Sequence, residues 1–542
     1  MSAPNTSGAE RLKAEGNALF VNNDFSGAYK KYSEAIKHDG NNAVLYCNRA
    51  ACSYGLKRYL DSSTDAKKAT KLNPGYAKAW ARLAAAHMNL NAVEKAVEDW
   101  KRAIATLPVE NLTAAEVKQK SNYASELAAA QAKVTELKAS PGLPKNAVHM
   151  NASAQLPWHR AKAMIPELEA QNKWLTSAWV IAKAYDDWDE SVRLMKLGRH
   201  IHTPAGTGYL GQRGVIMTLS NALVSDPRVF HIADNNFFEK YNQQIIFEAT
   251  HSKAWVDSGS KDVMIQAPKR LQSQGWDSVR PAIQVTVRGW IMRAFLEDYL
   301  RESVEVALEF YTAALEILQW GNEFWKDVPY EKKGNTFQPT FVRGVKCLRL
   351  DTFIKAYKQN PGENSKFSLE ALLADANQLL EELKGLENPL PEMQDPAFYL
   401  SFFRYPMAQA HALRGFYYHH KGQILREKTG ITDEVADMYS TGAMEYLAAA
   451  TLYPDDEQKR AWFLHTAFNM QLSIGGPVDF FLRVLNLLHE AIPRIKEIWE
   501  FSADSFEYGE DMEFRQQLLD AVENGTVQDP QHVWVTADMF AQ

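Results

Sequence analysis

The sequence has little cysteine and no long apolar run, and both absences exclude whole classes of protein. Only Cys47, Cys52 and Cys347 occur, and no two of them form a CxxC pair. The sequence therefore supports neither a disulfide framework nor a thiolate zinc site, and it favours a reducing compartment. No run of about 18 apolar residues occurs, and the N-terminus does not have the pattern of a signal peptide. These features predict a cytoplasmic protein, with the nucleus left open.

A strong excess of charge of one sign is also missing. The 542 residues carry a formal net charge of -6, and 46% of them are hydrophobic. This composition is ordinary for a soluble globular protein, and it does not favour nucleic acid or an anionic membrane as the main partner. At roughly 100 to 200 residues per domain, the length predicts about three or four domains.

A regular period of about 34 residues governs the N-terminal part of the chain. The alanines at 35, 69 and 103 follow this period, and so do Pro74 and Pro108. The other positions in the same frame are Gly16, Ala50 and Ala84, then Leu12, Tyr46 and Trp80, then Tyr32, Ala66 and Trp100. Each unit predicts two amphipathic helices joined by a short turn, since small residues let paired helices approach closely.

This pattern resembles the tetratricopeptide repeat (TPR), which implies three stacked helical hairpins whose first helices line a concave face. The segment 112–138 is rich in strong helix formers and is expected to cap the last repeat. We therefore predict a TPR domain over 8–138. Proline, glycine, serine and asparagine concentrate over 139–157, which predicts a linker. An α-helical C-terminal domain of one or two subdomains is expected over 158–530.

Five polar residues interrupt the first helices of the predicted hairpins. They are Lys13 and Asn17 in the first repeat, Asn48 in the second, and Lys78 and Arg82 in the third. The two same-helix pairs are spaced i, i+4, so each pair projects from one face, and stacking brings the faces together. The result is a basic groove whose cationic and amide donors suit a terminal carboxylate followed by acidic side chains.

These five positions are also similar to the carboxylate clamp of TPR co-chaperones, over residues 8–108. The resemblance implies binding to the C-terminal Glu-Glu-Val-Asp (EEVD) tail of heat-shock protein 70 and heat-shock protein 90 chaperones. It implies that the terminal aspartate lies near Lys13, Asn17, Asn48 and Lys78. Arg82 is expected to face the residues upstream of it.

Two other interpretations of the groove stay open. The five residues could form a solvated polar face on a structural TPR, because the scaffold itself needs only the small and large core positions. The groove could instead serve a scaffold protein that binds some other acidic C-terminus.

Beyond the predicted linker the chain is mostly helical in pattern, and few segments alternate with a period of two. The fold class is therefore expected to be all-α. Two stretches reproduce the spacing of the repeat and predict divergent TPR-like hairpins, although ordinary helical cores can show the same spacing. They contain Ala307, Tyr311 and Ala314 in one case, and Tyr446, Ala449 and Pro454 in the other.

A glycine-rich stretch, HTPAGTGYLGQRG, is the strongest hint of a cofactor. Gly206, Gly208 and Gly211 satisfy GxGxxG, and Asp234 follows as a candidate ribose-binding acid. A strand should precede the first glycine, whereas DESVRLMKLGRHIHTP is typical of a helix that ends at a proline. We therefore expect a glycine-rich loop that links helices, and no nucleotide cofactor.

No motif of a hydrolase, a zinc peptidase or a P-loop protein occurs. The histidines His200, His202 and His231 have no companion at a diagnostic spacing, so neither a metal site nor a catalytic site is predicted. The sequence thus predicts a chaperone-binding adaptor whose helical C-terminal domain engages a client or second partner. The alternative is an enzyme targeted by its TPR, with a nucleotide-binding C-terminal domain that the sequence does not reveal.

Overall fold

The computed structural model describes residues 6–139, 155–203, 206–232, 235–386, 395–502, 508–531 and 533–536. These residues form two compact units. The first unit takes in the described residues within 1–147 together with 246–337, and the second takes in those within 148–245 and 338–542.

Helices dominate both units. Up to residue 139 they are α1 (Thr6–Val21), α2 (Phe25–His38), α3 (Ala43–Gly55), α4 (Tyr59–Leu72), α5 (Ala77–Asn89), α6 (Val93–Ala105) and α7 (Ala114–Ala139). The next are α8 (Pro157–Ala170), α9 (Ser177–Lys196), α10 (Val215–Ser225), α11 (Phe237–Ser252), α12 (Ser260–Gln274), α13 (Trp276–Arg301), α14 (Val304–Phe324) and α15 (Tyr330–Lys333). The last are α16 (Pro339–Gln359), α17 (Leu369–Leu383), α18 (Pro396–Tyr399), α19 (Tyr405–Thr429), α20 (Asp433–Leu452), α21 (Gln458–Leu472), α22 (Val478–Trp499) and α23 (Gly509–Glu523).

Strands form only two small antiparallel pairs within the described ranges. One joins β1 (Arg199–Thr203) to β2 (Gly206–Leu210), and the other joins β3 (Gly476–Pro477) to β4 (Trp534–Val535). The predicted all-α class is confirmed. None of the helices in the described ranges is both long and apolar enough to cross a membrane.

The first six helices pair into three hairpins, as the period of the sequence predicts. Ala35, Ala69 and Ala103 are completely buried where the helices approach each other. Gly16 packs so closely on the second helix of its hairpin that an added Cβ would lie 2.9 Å from Tyr32 Cε1. The small residues of the repeat are therefore required by helix packing, and the predicted three-repeat TPR architecture is confirmed.

The turns between paired helices also repeat with the same period. Asn23, Lys57 and Asn91 have φ values of 61°, 59° and 52° and occupy equivalent positions in the three hairpins. Asparagine tolerates this left-handed conformation better than most residues. Lys57 adopts it because the surrounding hairpin imposes the same turn.

Helix α7 lies at the position where a capping helix was expected. Its N-terminus forms a capping box, in which Thr113 and Glu116 satisfy each other's backbone amides. Tyr123 of α7 packs against Trp100 of α6, with ring centroids 5.4 Å apart. This contact covers the apolar face of the last repeat.

The first unit also contains helices from a distant part of the sequence, which pack on α4. Arg58 donates two hydrogen bonds to Glu316 of α14, at 2.7 and 2.9 Å. A carboxyl oxygen of Glu309 accepts a hydrogen bond from the backbone amide of Leu60 at 2.5 Å, and the hydroxyl of Thr64 accepts one from the amide of Gly259 at 2.7 Å. The compact units thus group the chain differently from the predicted domains, whose boundaries stay a prediction. Most of the predicted linker, 140–154, lies outside the described residues.

Both predicted TPR-like stretches lie in helical hairpins. Ala307, Tyr311 and Ala314 are buried in α14, which packs on α13. Tyr446 and Ala449 are buried in α20, which packs on α19, and Pro454 follows the end of α20.

The glycine-rich stretch differs from its prediction. The segment before it is not helical to its end, because α9 stops at Lys196 and β1 begins at Arg199. Gly206 and Gly208 lie in β2, which pairs with β1 antiparallel, and Gly211 follows β2. The predicted loop between helices is therefore wrong. A dinucleotide fingerprint needs a parallel strand–helix–strand unit, which these glycines do not form. Asp234 lies outside the described residues.

Candidate peptide-binding groove

The five predicted site residues lie on the first helices of the three hairpins. Helix α1 carries Lys13 and Asn17, α3 carries Asn48, and α5 carries Lys78 and Arg82. Helices α3 and α5 pack against each other, and Asn48 of α3 contacts Asn17 of α1. We call the surface that these three first helices share the N-terminal groove.

Asn17 and Asn48 meet in this groove. The Nδ2 of Asn48 donates to Oδ1 of Asn17 at 3.3 Å, and the hydroxyl of Tyr32 donates to the same oxygen at 2.7 Å. Since Oδ1 of Asn17 accepts both bonds, its Nδ2 is left as a donor. The three side chains form a small network that holds both amides in place.

The two cations of α5 differ from the cations at the hairpin-crossing positions of the first two repeats. Arg49 forms a two-bond ion pair with Asp65, each bond 2.7 Å long, and Lys31 lies 2.7 Å from a carboxylate oxygen of Glu15. Within the part of the chain that the structure describes, neither Lys78 nor Arg82 forms an ion pair. Their positive charges are therefore available to a ligand.

Lys13 is the remaining cation of the groove, and it has a local partner. Its Nζ lies 2.5 Å from a carboxylate oxygen of Glu10, one turn earlier in α1. Both side chains are partly or largely exposed, and an exposed ion pair of this kind is worth only about 0–1 kcal/mol. A stronger anion in the groove could therefore displace Glu10.

The positive charge of Arg82 influences the pKa values of Tyr32 and Cys52. Burial raises the pKa of the Tyr32 hydroxyl to about 12, and the nearby guanidinium of Arg82 opposes that rise. Burial likewise raises the pKa of the Cys52 thiol to about 12, again against the influence of Arg82. Arg82 is thus close to Tyr32, which in turn holds Asn17. A hydrogen bond joins Asn17 to Asn48, and Arg82 acts on the pKa of Tyr32. Lys13 and Lys78 precede Asn17 and Arg82 by one turn of α1 and α5.

Sequence reasoning missed the role of Tyr32. The repeat predicts Tyr32 only as a large core side chain, whereas its hydroxyl donates a hydrogen bond to Asn17. Of the three residues at that repeat position, Tyr32, Ala66 and Trp100, only the tyrosine has a hydroxyl, and that is the one signal that pointed to it.

The described residues do not bring metal-ligating side chains together. No group of three or more His, Cys, Asp or Glu side chains there is arranged to hold a metal ion. His200 and His202 lie on β1, next to the glycine-rich strand.

Comparison with known proteins relates part of the chain to TPR co-chaperones. It is 34% identical over 141 residues to heat shock protein STI1 of Saccharomyces cerevisiae, a match that covers 26% of this chain and 24% of that protein. It is 38% identical over 100 residues to the Hsp70-Hsp90 organizing protein of Triticum aestivum, covering 18% of this chain and 17% of that protein. No protein-family model matches the chain.

Solved TPR domains are also similar to the chain. The first TPR of Spaghetti (RPAP3) bound to the HSP90 peptide SRMEEVD shares 29% identity, covers 22% of this chain and 94% of its own, and gives a TM-score of 0.20. The chain thus spans about a quarter or less of the length of the two curated relatives above. Over that part it is homologous to TPR co-chaperones, as the sequence pattern predicted.

Proposed function

We propose that this protein is a co-chaperone or adaptor whose N-terminal groove binds the acidic EEVD tail of heat-shock protein 70, heat-shock protein 90 or both. The carboxylate clamp consists of Lys13, Asn17, Asn48, Lys78 and Arg82. The helical C-terminal region engages a client or second partner, and the protein acts in the cytoplasm.

The observation that carries this proposal is the pair of cations on α5. Lys78 and Arg82 lie one helical turn apart and form no ion pair among the described residues, whereas Arg49 and Lys31 nearby are matched by carboxylates. A charge-assisted hydrogen bond contributes about 1.5–3 kcal/mol. Two cations one turn apart, with Arg82 close to Tyr32 and its hydrogen bond to Asn17, favour an anionic ligand over a merely solvated surface.

The asparagine pair suits the terminal carboxylate of such a ligand. Because Oδ1 of Asn17 is already occupied by Tyr32 and Asn48, Asn17 offers a ligand its N–H groups rather than its oxygen. A carboxylate accepts hydrogen bonds and donates none when ionised. The groove is thus matched to a free C-terminus.

The names of the relatives support the same class of partner. The heat shock protein STI1 and the Hsp70-Hsp90 organizing protein both match part of this chain. A second partner bound elsewhere on the same chain would gain effective concentration at the chaperone. This is the role expected of an adaptor.

The test is calorimetric titration of the full-length protein with a free-acid peptide that ends in Glu-Glu-Val-Asp. We expect micromolar binding, about -8 kcal/mol. Arg82→Ala or Lys78→Ala should weaken it at least about tenfold, which corresponds to one lost charge-assisted hydrogen bond. An amidated peptide should bind much more weakly than the free acid.

Lys71→Ala is the matched control, because Lys71 is an exposed lysine in the last turn of α4, a second helix. It removes the same charge without touching the groove and should leave the affinity unchanged. No binding by the folded wild type, or equal losses in Lys71→Ala and Lys78→Ala, would contradict the clamp. Equal binding of free-acid and amidated peptides would point to another acidic ligand.

A further inference from the structure

The hairpin of α19 and α20 uses the same packing frame as the N-terminal repeats. A Cβ added at Gly415 would lie 2.9 Å from Tyr446 Cδ2, just as one at Gly16 would meet Tyr32. The residues that precede these two form an ion pair across the hairpin: Arg414 lies 2.7 Å from Glu445. The equivalent pairs in the first two repeats are Glu15 with Lys31 and Arg49 with Asp65.

The two helices of this hairpin are longer than those of the N-terminal repeats. Helices α19 and α20 are 25 and 20 residues long, whereas α1 and α2 are 16 and 14 residues long. The additional length of α19 lies beyond Gly415, and that of α20 lies before Tyr446. The extra turns create a surface that the N-terminal repeats do not have.

A groove of about 620 Å³ lies on these extra turns, between α19, α20 and α21. From α19 it is lined by His419, Gln423 and Arg426, which are spaced i, i+4 and i+7. From α21 and its C-cap residue it is lined by Thr466, Asn469 and Ser473, spaced i, i+3 and i+7. Each side is thus one helix face about 10 Å long, enough for about three residues of an extended peptide.

The side chains of the groove suit a peptide backbone. Gln423 and Asn469 are exposed on opposite sides of the groove. The Nδ2 of Asn469 lies 3.0 Å from Nε2 of His465, a contact that uses one of its two N–H groups. An amide that keeps one N–H and its oxygen still supplies a donor and an acceptor, which match the C=O and N–H of a peptide backbone. Tyr439 and Met470 are buried and add apolar surface for a side chain of the ligand.

The charge of the groove is close to zero, which sets it apart from the N-terminal groove. Arg426 and Glu427 carry opposite charges, and burial lowers the pKa of His419, which favours its neutral form. The frame positions of Lys13 and Asn17 are occupied by Ala412 and Phe416, both buried. A terminal carboxylate would find no clamp here.

We propose that this groove binds an extended, uncharged peptide segment from within a partner's chain, held through its backbone by Gln423 and Asn469. It is the site for the second partner of the proposed function. Its test does not depend on the N-terminal clamp, because it uses end-blocked peptides and variants of the α19–α21 groove instead of free-acid peptides and variants of the clamp.

The experiment screens the immobilised full-length protein against a library of end-blocked peptides, acetylated and amidated, built from uncharged residues. The affinity of a retained peptide is then measured by calorimetry. Replacing Gln423 and Asn469 together by alanine should weaken binding at least about tenfold, since each amide contributes about one hydrogen bond or more. Ser473→Phe, which fills the groove, should do the same.

Two controls separate this site from the clamp and from general damage. Arg82→Ala should leave the affinity for the end-blocked peptide unchanged, and excess free-acid EEVD peptide should not compete. Replacing Gln378 and Gln516 by alanine removes two exposed amides outside the groove and should have no effect. The proposal is overturned if no end-blocked peptide is retained, if retained peptides bind the groove variants as well as the wild type, or if the free-acid peptide displaces them.

Discussion

The N-terminal groove and the groove of α19 to α21 are built on one packing frame but offer different chemistry. In both, a glycine lets an aromatic ring of the paired helix approach, and an ion pair crosses the hairpin beside it. The N-terminal groove presents cations and amide donors. The groove of α19 to α21 presents one amide side chain on each side, Gln423 and Asn469, and has almost no net charge.

The comparison teaches that the frame and the ligand are specified by different residues. The glycine, the ring and the crossing ion pair fix how the helices pack, and they leave the exposed positions free to vary. Helix length adds a second variable, since the later groove lies on turns that the first repeats lack.

The largest effect is expected from breaking the ion pair of the frame in each hairpin. Asp65→Ala leaves the charge of Arg49 without a carboxylate partner at a site where the two side chains are 12% and 8% exposed. This should lower the local stability by about 3–5 kcal/mol, as for buried pairs. Glu445→Ala should cost less, roughly 1–2 kcal/mol, because Arg414 is 29% exposed and can be hydrated. Hydrogen exchange of α3–α4 and α19–α20 measures both, and equal losses would contradict the comparison.

The next effect concerns the two glycines. Gly16→Val and Gly415→Val should each cost about 1–3 kcal/mol, because the added side chain collides with Tyr32 or Tyr446. Only Gly16→Val should also weaken the binding of the free-acid peptide, because a displaced Tyr32 no longer orients Asn17. Gly509→Val is the control, because nothing lies within 4 Å of an added Cβ there. If Gly415→Val also lowers the affinity for the free-acid peptide, the two grooves are not independent.

A smaller effect concerns pH and the support of the N-terminal repeats by α14. Burial raises the pKa of Glu309 to about 8, with Asp61 adding to the rise and Arg58 opposing it. The pKa of Glu309 is higher in the folded protein than in the unfolded chain. Its contribution to the free energy of unfolding is therefore complete below the unfolded pKa and is lost as the pH rises through about 8. Between pH 6 and 7 the free energy of unfolding should fall by about 1 kcal/mol per pH unit.

Glu309→Gln keeps the acceptor for the amide of Leu60 but does not titrate, so this slope should disappear in hydrogen exchange of α4. The protection of α19 and α20 should be the same in both proteins. A slope that survives in Glu309→Gln would assign the pH dependence to another group.

The smallest effect is that of salt on the two ligands. Raising sodium chloride from about 0.05 to about 0.5 M shortens the screening length several-fold. The free-acid peptide should therefore lose affinity several-fold, whereas the end-blocked peptide should lose almost none. Equal salt dependence, measured by calorimetry on the same protein, would mean that the later groove also relies on charge.

Much of the fold could be predicted from the sequence because the repeat is local. Gly16, Ala50 and Ala84 recur at one position of the repeat, since each packs against the second helix of its own hairpin. The site residues could also be placed on the first helices, because helical spacing decides which side chains share a face. The left-handed turn at Lys57 and the hydroxyl bond of Tyr32 could not, because neither follows from helical periodicity.

The sequence by itself determined the helical class, the three N-terminal hairpins and the faces on which Lys13, Asn17, Asn48, Lys78 and Arg82 lie. Only the tertiary structure decided that Glu309 and Glu316 would meet α4 from a distant part of the chain, and that Gly206 and Gly208 would lie in an antiparallel pair. It also decided that the extra turns of α19 and α20 would form a groove with α21. The reason is that periodicity records contacts within a helix and its neighbour, whereas these contacts join segments whose separation leaves no repeating pattern.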